Sequence, residues 1–198
     1  MFHVVPTLRA ALRAVDAGVD GLVVEGAEGG GFKNPRDVST MVLLPLVASK
    51  VDVPIIAAGG FLDGRSMAAA LALGAEGVQL GTVMVATLES PIHENWKGAI
   101  IDASETDTVL LNRHAGPALR VLRTERSNAL EFDTSVDAMT AMADHRSLYF
   151  GGDLEAALAL SGQIAGRIEE IRPVADVIRE CAADCVAVLA QLGRLYVD

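Results

Sequence analysis

The sequence predicts an α/β fold in which parallel strands alternate with helices. Residues 9–26 ("RAALRAVDAGVDGLVVEG") and 67–81 ("MAAALALGAEGVQLG") repeat one order of features: an alanine-rich helix, a glycine, an acidic residue followed by glycine, an apolar strand and a final glycine. Strands separated by helices pair in parallel through right-handed crossovers. Hydrophobic residues make up 51% of the chain but aromatic residues only 4%, which favours helices packed on strands over a β-sandwich.

The first 81 residues read as alternating strands and helices. Thr7 is a candidate N-cap and Gly18 a candidate C-terminal stop of the first helix, whereas Pro45 should kink or split the second. Strands are predicted at 2–6, 19–26, 53–58 and 75–81, and helices at 7–18, 35–51 and 63–74.

After Thr87 the pattern changes. Residues 89–103 predict a helix on the outside of the array, and residues 104–132 mix strand and turn signals. Residues 133–152 are weakly patterned, and residues 153–171 and 174–196 read as helices. The C-terminal third is therefore predicted to be a helical appendage to the β/α array.

Composition and charge exclude several classes of function. The net charge of −10 argues against a nucleic-acid partner, and no apolar run reaches the ~18 residues of a membrane span. The N-terminus lacks the basic and apolar regions of a signal peptide. Cys181 and Cys185, four residues apart, should face one side of a helix as small apolar side chains, which fits a reducing cytoplasm and predicts neither a disulfide nor a metal site.

Glycines follow three successive predicted strands. Gly59-Gly60, Gly81-Thr82 and the run from Glu28 to Gly31 each stand where a strand ends. Glycine lets a backbone N–H approach an anion closely, and a helix that starts after such a loop adds the positive end of its dipole. Thr82 could add a hydroxyl donor. The pattern predicts a phosphate-binding site spread over adjacent loops, while the alternative is that each glycine only relieves a tight turn.

The segment "PIIAAGGFLDGRSMAAALALGAEGVQLGT", followed by "ESPIHENWK", resembles the nitronate monooxygenase (2-nitropropane dioxygenase) family and the related flavin-dependent enoyl-ACP reductases. The likeness extends over nearly the whole chain. It implies a cytoplasmic flavoprotein whose FMN lies in a (β/α)₈ TIM barrel. It also implies that this chain carries the C-terminal half of the barrel, equivalent to strands five to eight, plus a small helical appendage.

The resemblance also implies a set of cofactor-binding residues. Gly59, Gly60, Gly81 and Thr82 would hold the FMN phosphate, and Gln79 would lie near it. Gly30 and Gly31 would lie by the flavin ring or the ribityl chain. Residues 1–100 would form the half-barrel with its phosphate-binding loops, and residues 101–198 the substrate-covering segment and C-terminal helices.

Three departures from the family stand out. Phe32 occupies the position of the family's catalytic histidine, and a phenyl ring cannot take a proton, so the catalytic base is unknown. Val4 replaces a lysine that many members carry. Strands one to four have no counterpart, which leaves two parallel strands with unpaired edges and predicts a need for a partner half-barrel or a homo-oligomer.

Other polar residues have two interpretations each. Arg113, Arg120, Arg123 and Arg126 could form a cluster that binds an acidic substrate such as a CoA diphosphate, or could be solvated charges. His114 is a candidate substrate contact, and His93 a structural residue at a helix start. Trp96 and Lys97 should anchor that helix.

These observations support three hypotheses of function. The first is an FMN-dependent oxidoreductase similar to nitronate monooxygenases, acting on a small-molecule substrate such as a nitronate. The second is an NAD(P)H-dependent flavin reductase or dehydrogenase that acts on an enoyl- or acyl-CoA or acyl-carrier thioester. The third is a non-catalytic half-barrel that binds phosphate.

Overall fold

A computed structural model describes residues 1–140, 142 and 144–196 of the chain. The chain forms two compact units. The first comprises Met1–Gly26, Val38–Leu80 and Pro173–Asp198, and the second comprises Ala27–Asp37 and Gly81–Arg172. The functional division at residue 100 stays a prediction.

Seven strands and eight helices are described. The strands are β1 (Phe2–Val5), β2 (Gly21–Glu25), β3 (Gly31–Lys33), β4 (Ile55–Ala58), β5 (Gly77–Gln79), β6 (Thr108–Leu111) and β7 (Ala118–Leu122). The helices are α1 (Leu8–Asp16), α2 (Thr40–Ala48), α3 (Gly64–Ala72), α4 (Thr82–Val85), α5 (Glu94–Ile101), α6 (Glu125–Glu131), α7 (His145–Gly151) and α8 (Val174–Tyr196).

The first unit contains the predicted parallel sheet, with strand order β1-β2-β4-β5. All three pairings are parallel. The four strands and the three helices α1, α2 and α3 occur where the alternating pattern predicts them, and the fold class is confirmed as α/β with a parallel sheet. In the described part of the chain, β1 and β5 each pair with one neighbour only, so both are edge strands.

Local signals set the helix ends in this unit. The Thr7 hydroxyl accepts a hydrogen bond of 3.1 Å from Ala10 N, which confirms it as the N-cap of α1. Gly18 follows the end of α1 with a φ of +85°, a conformation that glycine adopts without strain. Pro45 does not split its helix, since α2 continues from Thr40 to Ala48 with Pro45 inside it.

One apolar core joins the helices of the first unit to its sheet. Its fully buried members include Val5, Leu22, Val24, Leu44 and Ala57. Helix α8 packs on α3, with Cys181 and Cys185 buried and the Cys181 sulfur 3.9 Å from that of Met67. Both cysteines are free thiols on one side of a helix, as predicted.

The second unit is built around an antiparallel sheet with the order β3-β7-β6. Its core includes Val109, Leu111, Leu119 and Val121, all buried. Two residues predicted to anchor the helix that became α5 are buried, Trp96 at 1% and Lys97 at 2% exposure. Trp96 packs edge-on against Tyr149 with ring centroids 4.8 Å apart.

One prediction in the second unit is wrong, and one element of that unit was not predicted. Residues 153–171 form no α-helix; the segment runs alongside β7, where Leu122 N donates to Ala159 O and Leu160 bridges Val121. The consecutive buried residues Ala157, Leu158 and Ala159 suit an extended segment, and a short 3₁₀ turn follows at Gln163–Arg167. Strand β3 was not foreseen either.

Candidate cofactor site

The ends of three parallel strands align in the first unit. Glu25, Ala58 and Gln79 are the last residues of β2, β4 and β5, and the sheet register pairs Glu25 with Ala58 and Ala58 with Gln79. Gln79 is exposed. The carboxyl ends of parallel strands are where α/β folds bind ligands. The structure therefore brings Gln79 to the same edge as the strand that leads into Gly59.

The turn after β4 depends on glycine. Gly59 and Gly60 have φ values of +89° and +87°, in the left-handed region where side chains with a Cβ are strained. The hydroxyl of Thr40, at the start of α2, donates to the carbonyl oxygen of Gly59 at 2.9 Å. The turn is thus fixed both by its backbone conformation and by a part-buried hydrogen bond.

Helix α3 is capped at its start by its own residues. The Asp63 carboxylate accepts a hydrogen bond of 2.8 Å from Ser66 N, and the Ser66 hydroxyl accepts one from Asp63 N, forming a reciprocal cap. A Cβ on Gly64 would collide with the backbone of α8 at Asp184 and Cys185. One N–H of the first turn of α3 is therefore bound by a protein group, and the contribution of the helix dipole to a phosphate site stays a prediction.

Three segments converge within the second unit. A Cβ on Gly30 would lie 2.7 Å from Gly162 N, so only glycine permits this approach. Gly162 N donates to Thr82 Oγ1 at 2.9 Å, and Gln163 N donates to the carbonyl oxygen of Glu28 at 2.9 Å. The predicted residues Gly30 and Thr82 are thereby linked through the segment Ser161–Gly162–Gln163.

Sequence reasoning missed Ser161–Gly162–Gln163 because the segment was assigned to a helix. Gly162 lies inside that predicted helix, and a glycine there was the signal in the sequence that the helix could be interrupted. Ser161 and Gly162 are buried, and no hydrogen-bond partner is found for the Ser161 hydroxyl.

Thr82 and Gly81 can still serve a ligand. Thr82 is 8% exposed and its oxygen accepts from Gly162, so its own hydrogen remains to be donated. Gly81 N-caps the short helix α4, and a Cβ built on Gly81 would meet nothing within 4 Å. No protein contact therefore requires glycine at this position. Gly31, with a φ of +78°, begins β3.

The two family positions that differ in this chain are accessible. Phe32 lies in β3 opposite Leu119 and is 54% exposed. Val4 lies in the edge strand β1 and is 47% exposed. Neither side chain can accept or donate a proton.

The arginines predicted as a cluster have protein partners. Arg113 pairs with Asp37 at 2.8 Å, and Arg123 pairs with Glu131 at 2.7 Å. Hydrogen bonding to Glu131 raises the pKa of Arg123 and lowers that of Glu131.

The other two arginines also bind within the second unit. Arg120 is buried in β7, donates to Ala27 O at 2.6 Å and to Thr108 Oγ1 at 3.2 Å, and burial lowers its pKa. Arg126 donates to Glu155 O at 3.1 Å. These contacts stabilise the unit and weaken the case for a CoA-diphosphate site.

The histidines have structural or open roles. His93 is the N-cap residue of α5, and its Nδ1 accepts from Asn95 N at 3.1 Å, as predicted for a helix start. His114 is exposed, and its predicted contact with substrate stays a prediction.

Among the described residues there is no group of three or more His, Cys, Asp or Glu placed to hold a metal ion. No helix in the described part of the chain is long and apolar enough to span a membrane.

The fold defines an α/β protein with a parallel sheet whose strands end in glycine turns. The family model of nitronate monooxygenase matches residues 1–184, and the chain belongs to this family. A probable nitronate monooxygenase of Staphylococcus aureus is 41% identical over 112 residues, which cover 52% of this chain and 32% of that protein.

A second relative is similar over more of the chain. The (3aS,4S,5R,7aS)-5-hydroxy-7a-methyl-1-oxo-octahydro-1H-indene-4-carboxyl-CoA dehydrogenase of Rhodococcus jostii is 30% identical over 238 aligned residues. The alignment covers 97% of this chain and 67% of that protein.

Solved structures agree with the fold. FabK of Thermotoga maritima superposes with a TM-score of 0.92 at 39% identity, covering 99% of this chain and 63% of that chain. A nitroalkane oxidase of Streptomyces ansochromogenes gives 0.78 at 26% identity, covering 96% and 58%. The chain thus spans roughly three fifths of the length of these two proteins.

Proposed function

We propose that this chain is the FMN-binding part of a flavin-dependent oxidoreductase similar to nitronate monooxygenases. In this proposal the parallel sheet is the C-terminal half of a (β/α)₈ barrel, equivalent to strands five to eight. The half-barrel works as part of a longer protein or as a subunit of a split enzyme in the cytoplasm. Family membership over residues 1–184 supports the reaction class.

The observation that carries the proposal is the glycine turn after β4. Two successive residues with φ near +90° stand at the carboxyl end of a parallel strand, and Thr40 fixes the carbonyl of the first. A backbone without Cβ atoms at a strand end is the environment in which N–H groups reach a phosphate. We assign the FMN phosphate to Gly59, Gly60, Gly81 and Thr82, with Gln79 nearby.

The second unit supports the rest of the assignment. Gly81 has open space where a Cβ would lie, and the Thr82 hydroxyl keeps its hydrogen for a ligand. We assign Gly30 and Gly31 to the flavin ring or ribityl chain. The residues present therefore fit the phosphate and polyol of FMN.

The chain's own groups limit the chemistry. A bound flavin would supply hydride transfer or reaction with oxygen. Phe32 offers an apolar, accessible ring where the family has a base, so this chain does not remove a substrate proton at that position. Substrates that arrive already as anions, such as nitronates, need no such base.

A second candidate is an NAD(P)H-dependent reductase or dehydrogenase of an enoyl- or acyl-thioester. Phe32 is compatible with this candidate as well, because hydride transfer to an activated alkene does not require a base at that position. The Rhodococcus relative, named a carboxyl-CoA dehydrogenase, covers 97% of the chain and adds support. The four predicted arginines, Arg113, Arg120, Arg123 and Arg126, already bind protein groups, which argues against their binding a diphosphate.

Anaerobic reduction of the purified flavoprotein separates the candidates. Reduction by a nitronate without nicotinamide supports the monooxygenase, and rapid reduction by NADH or NADPH supports the reductase. A chain that binds phosphate ligands but no flavin would instead be the non-catalytic half-barrel.

A further inference from the structure

A single residue, Arg120, holds both ends of the loop from Ala27 to Gly31 in the second unit. Its side chain donates from Nε to the carbonyl oxygen of Ala27 at 2.6 Å. Its backbone pairs with Gly31 in the antiparallel register of β7 and β3. Arg120 lies 93 positions after Ala27 in the sequence, so a distant strand closes this loop.

The contact with Ala27 is made by a buried charge. Arg120 is 7% exposed, and its Nη1 also donates to Thr108 Oγ1 at 3.2 Å. Burial lowers the pKa of the guanidinium, while the carboxylates of Asp37 and Glu28 act in the opposite direction. An arginine remains protonated in proteins, and a hydrogen bond from a charged donor is about twice as strong as a neutral one. The loop is therefore held at Ala27 more firmly than a neutral donor would hold it.

The middle of the same loop is held by the segment 161–163. Gln163 N donates to the carbonyl oxygen of Glu28 at 2.9 Å, and Gly30 packs against the backbone of this segment with no room for a Cβ. Loops are ordinarily more mobile than the strands they connect, and a binding site needs supporting contacts that fix the groups in contact with the ligand. Contacts at both ends and in the middle give this loop such support.

We propose that Arg120 is a positioning residue for the flavin. It acts through the loop from Ala27 to Gly31 and does not itself contact the flavin. In the proposed function, on which this inference rests, Gly30 and Gly31 contact the flavin ring or the ribityl chain. Arg120 keeps these two glycines in a fixed place before the flavin binds, so that less conformational freedom is lost on binding.

The place of the loop predicts which part of the flavin depends on Arg120. FMN and riboflavin share the ring and the ribityl chain, and only FMN carries a phosphate. The proposed function assigns that phosphate to other residues, Gly59, Gly60, Gly81 and Thr82. Loss of the Arg120 contact should therefore weaken the binding of both flavins by the same factor, whereas a change at the phosphate site alters the preference for FMN.

The test is the affinity of the full chain for FMN and for riboflavin, measured by fluorescence titration together with the Tm. Arg120→Met fills the space but leaves the Ala27 carbonyl without its donor. We expect both flavins to bind about tenfold more weakly, with an unchanged ratio of the two affinities. Arg120→Lys keeps the charge without the planar guanidinium. Its affinities should lie between those of Arg120→Met and the parent chain, and it gives the test if Arg120→Met does not fold.

Arg123→Met is the matched control. It makes the same change just beyond the end of β7, where Arg123 donates to Thr106 O and pairs with Glu131. These partners lie outside the loop from Ala27 to Gly31. The variant should lower the Tm and leave both flavin affinities at the parent value.

Unchanged affinities for both flavins in the folded Arg120 variants, with a lower Tm, would limit Arg120 to a structural role and overturn the proposal. A loss of affinity for FMN alone, or an equal loss in Arg123→Met, would overturn it as well. A parent chain that binds neither flavin would contradict the proposed function itself. A parent chain that binds both flavins no more tightly than the Arg120 variants would contradict only the positioning role.

Discussion

The hydroxyl of Thr40 donates a 2.9 Å hydrogen bond to the carbonyl oxygen of Gly59. The donor begins α2 and is 6% exposed, whereas the acceptor belongs to the turn that ends β4. The start of α2 thus holds the first residue of the glycine pair through a part-buried hydrogen bond. The conformation of this turn is set before any ligand binds.

Thr40→Val should loosen that turn. Valine keeps the shape but leaves the part-buried Gly59 carbonyl without its donor, at a cost of about 0.5–1.5 kcal/mol in the free energy of unfolding. We expect a lower Tm and about tenfold weaker FMN binding. Thr40→Ser keeps the hydroxyl and should retain most of both properties. Equal FMN affinity in Thr40→Val and the parent chain would contradict a role for this tether.

Gly60→Ala tests the left-handed conformation of the turn. Alanine at a φ of +87° costs about 1–2 kcal/mol, which lowers the Tm of a chain of this size by about 2–4 °C per kcal/mol. Gly193→Ala in α8 is the control, because a Cβ there meets nothing within 4 Å and alanine favours helix. It should raise the Tm slightly. A Tm that does not fall in Gly60→Ala would show that the turn has another conformation.

Gly30→Ala and Gly81→Ala separate packing from ligand contact. The Cβ of Gly30→Ala would meet the backbone of Ser161 and Gly162, so we expect a loss of about 1–3 kcal/mol in stability. The Cβ of Gly81→Ala meets no protein atom within 4 Å, so thermal unfolding should change little while FMN affinity falls. Unchanged FMN affinity in Gly81→Ala would remove that residue from the site.

The pair Arg123–Glu131 predicts a specific acid dependence. Hydrogen bonding from Arg123 lowers the pKa of the Glu131 carboxyl below its ordinary value of 4.5. The stabilisation is therefore complete above that value and is lost as the pH falls through the lower folded-state pKa. Because the pair is partly exposed, we expect about 0.2–1 kcal/mol.

Denaturant unfolding from pH 7 to pH 3 measures this effect. Glu131→Gln should be less stable than the parent chain at pH 7, and the difference should vanish at low pH. Glu169→Gln, an exposed carboxylate, is the control and should follow the parent at every pH. A difference for Glu131→Gln that persists at pH 3 would refute the linkage.

Phe32→His should raise any activity on neutral nitroalkanes. The exposed position in β3 accepts an imidazole without new burial, and the ring supplies a base where the family has one. The increase should follow a rising pH profile as the imidazole loses its proton. Phe32→Gln, polar but unable to take a proton, is the control. No gain in Phe32→His would mean that residue 32 does not face the substrate.

The β/α part of the fold could be read from the sequence because its signals are local. The cap at Thr7, the stop at Gly18 and the apolar strand before Gly59 each act within a few residues. The prediction of a helix at residues 153–171 was wrong for the opposite reason. Its alanine and leucine residues suit a helix, but pairing of Ala159 and Leu160 with β7, distant in sequence, decides its conformation.

The site could be predicted only in part for a similar reason. Glycine pairs at strand ends identify Gly59 and Gly60 from sequence alone. The link from Gly30 through Gly162 to Thr82 joins residues up to 132 positions apart and leaves no local pattern. The packing of α8 on Gly64 likewise joins two segments that are distant in sequence.

The most direct test of the phosphate assignment compares FMN with riboflavin, which lacks only the phosphate. Fluorescence titration of the full chain should give at least about a hundredfold tighter binding of FMN, the difference expected for several charge-assisted hydrogen bonds. Gly81→Ala should reduce that preference while leaving riboflavin affinity unchanged. Equal affinities for the two flavins in the parent chain would contradict the claim that these strand-end glycines bind a phosphate.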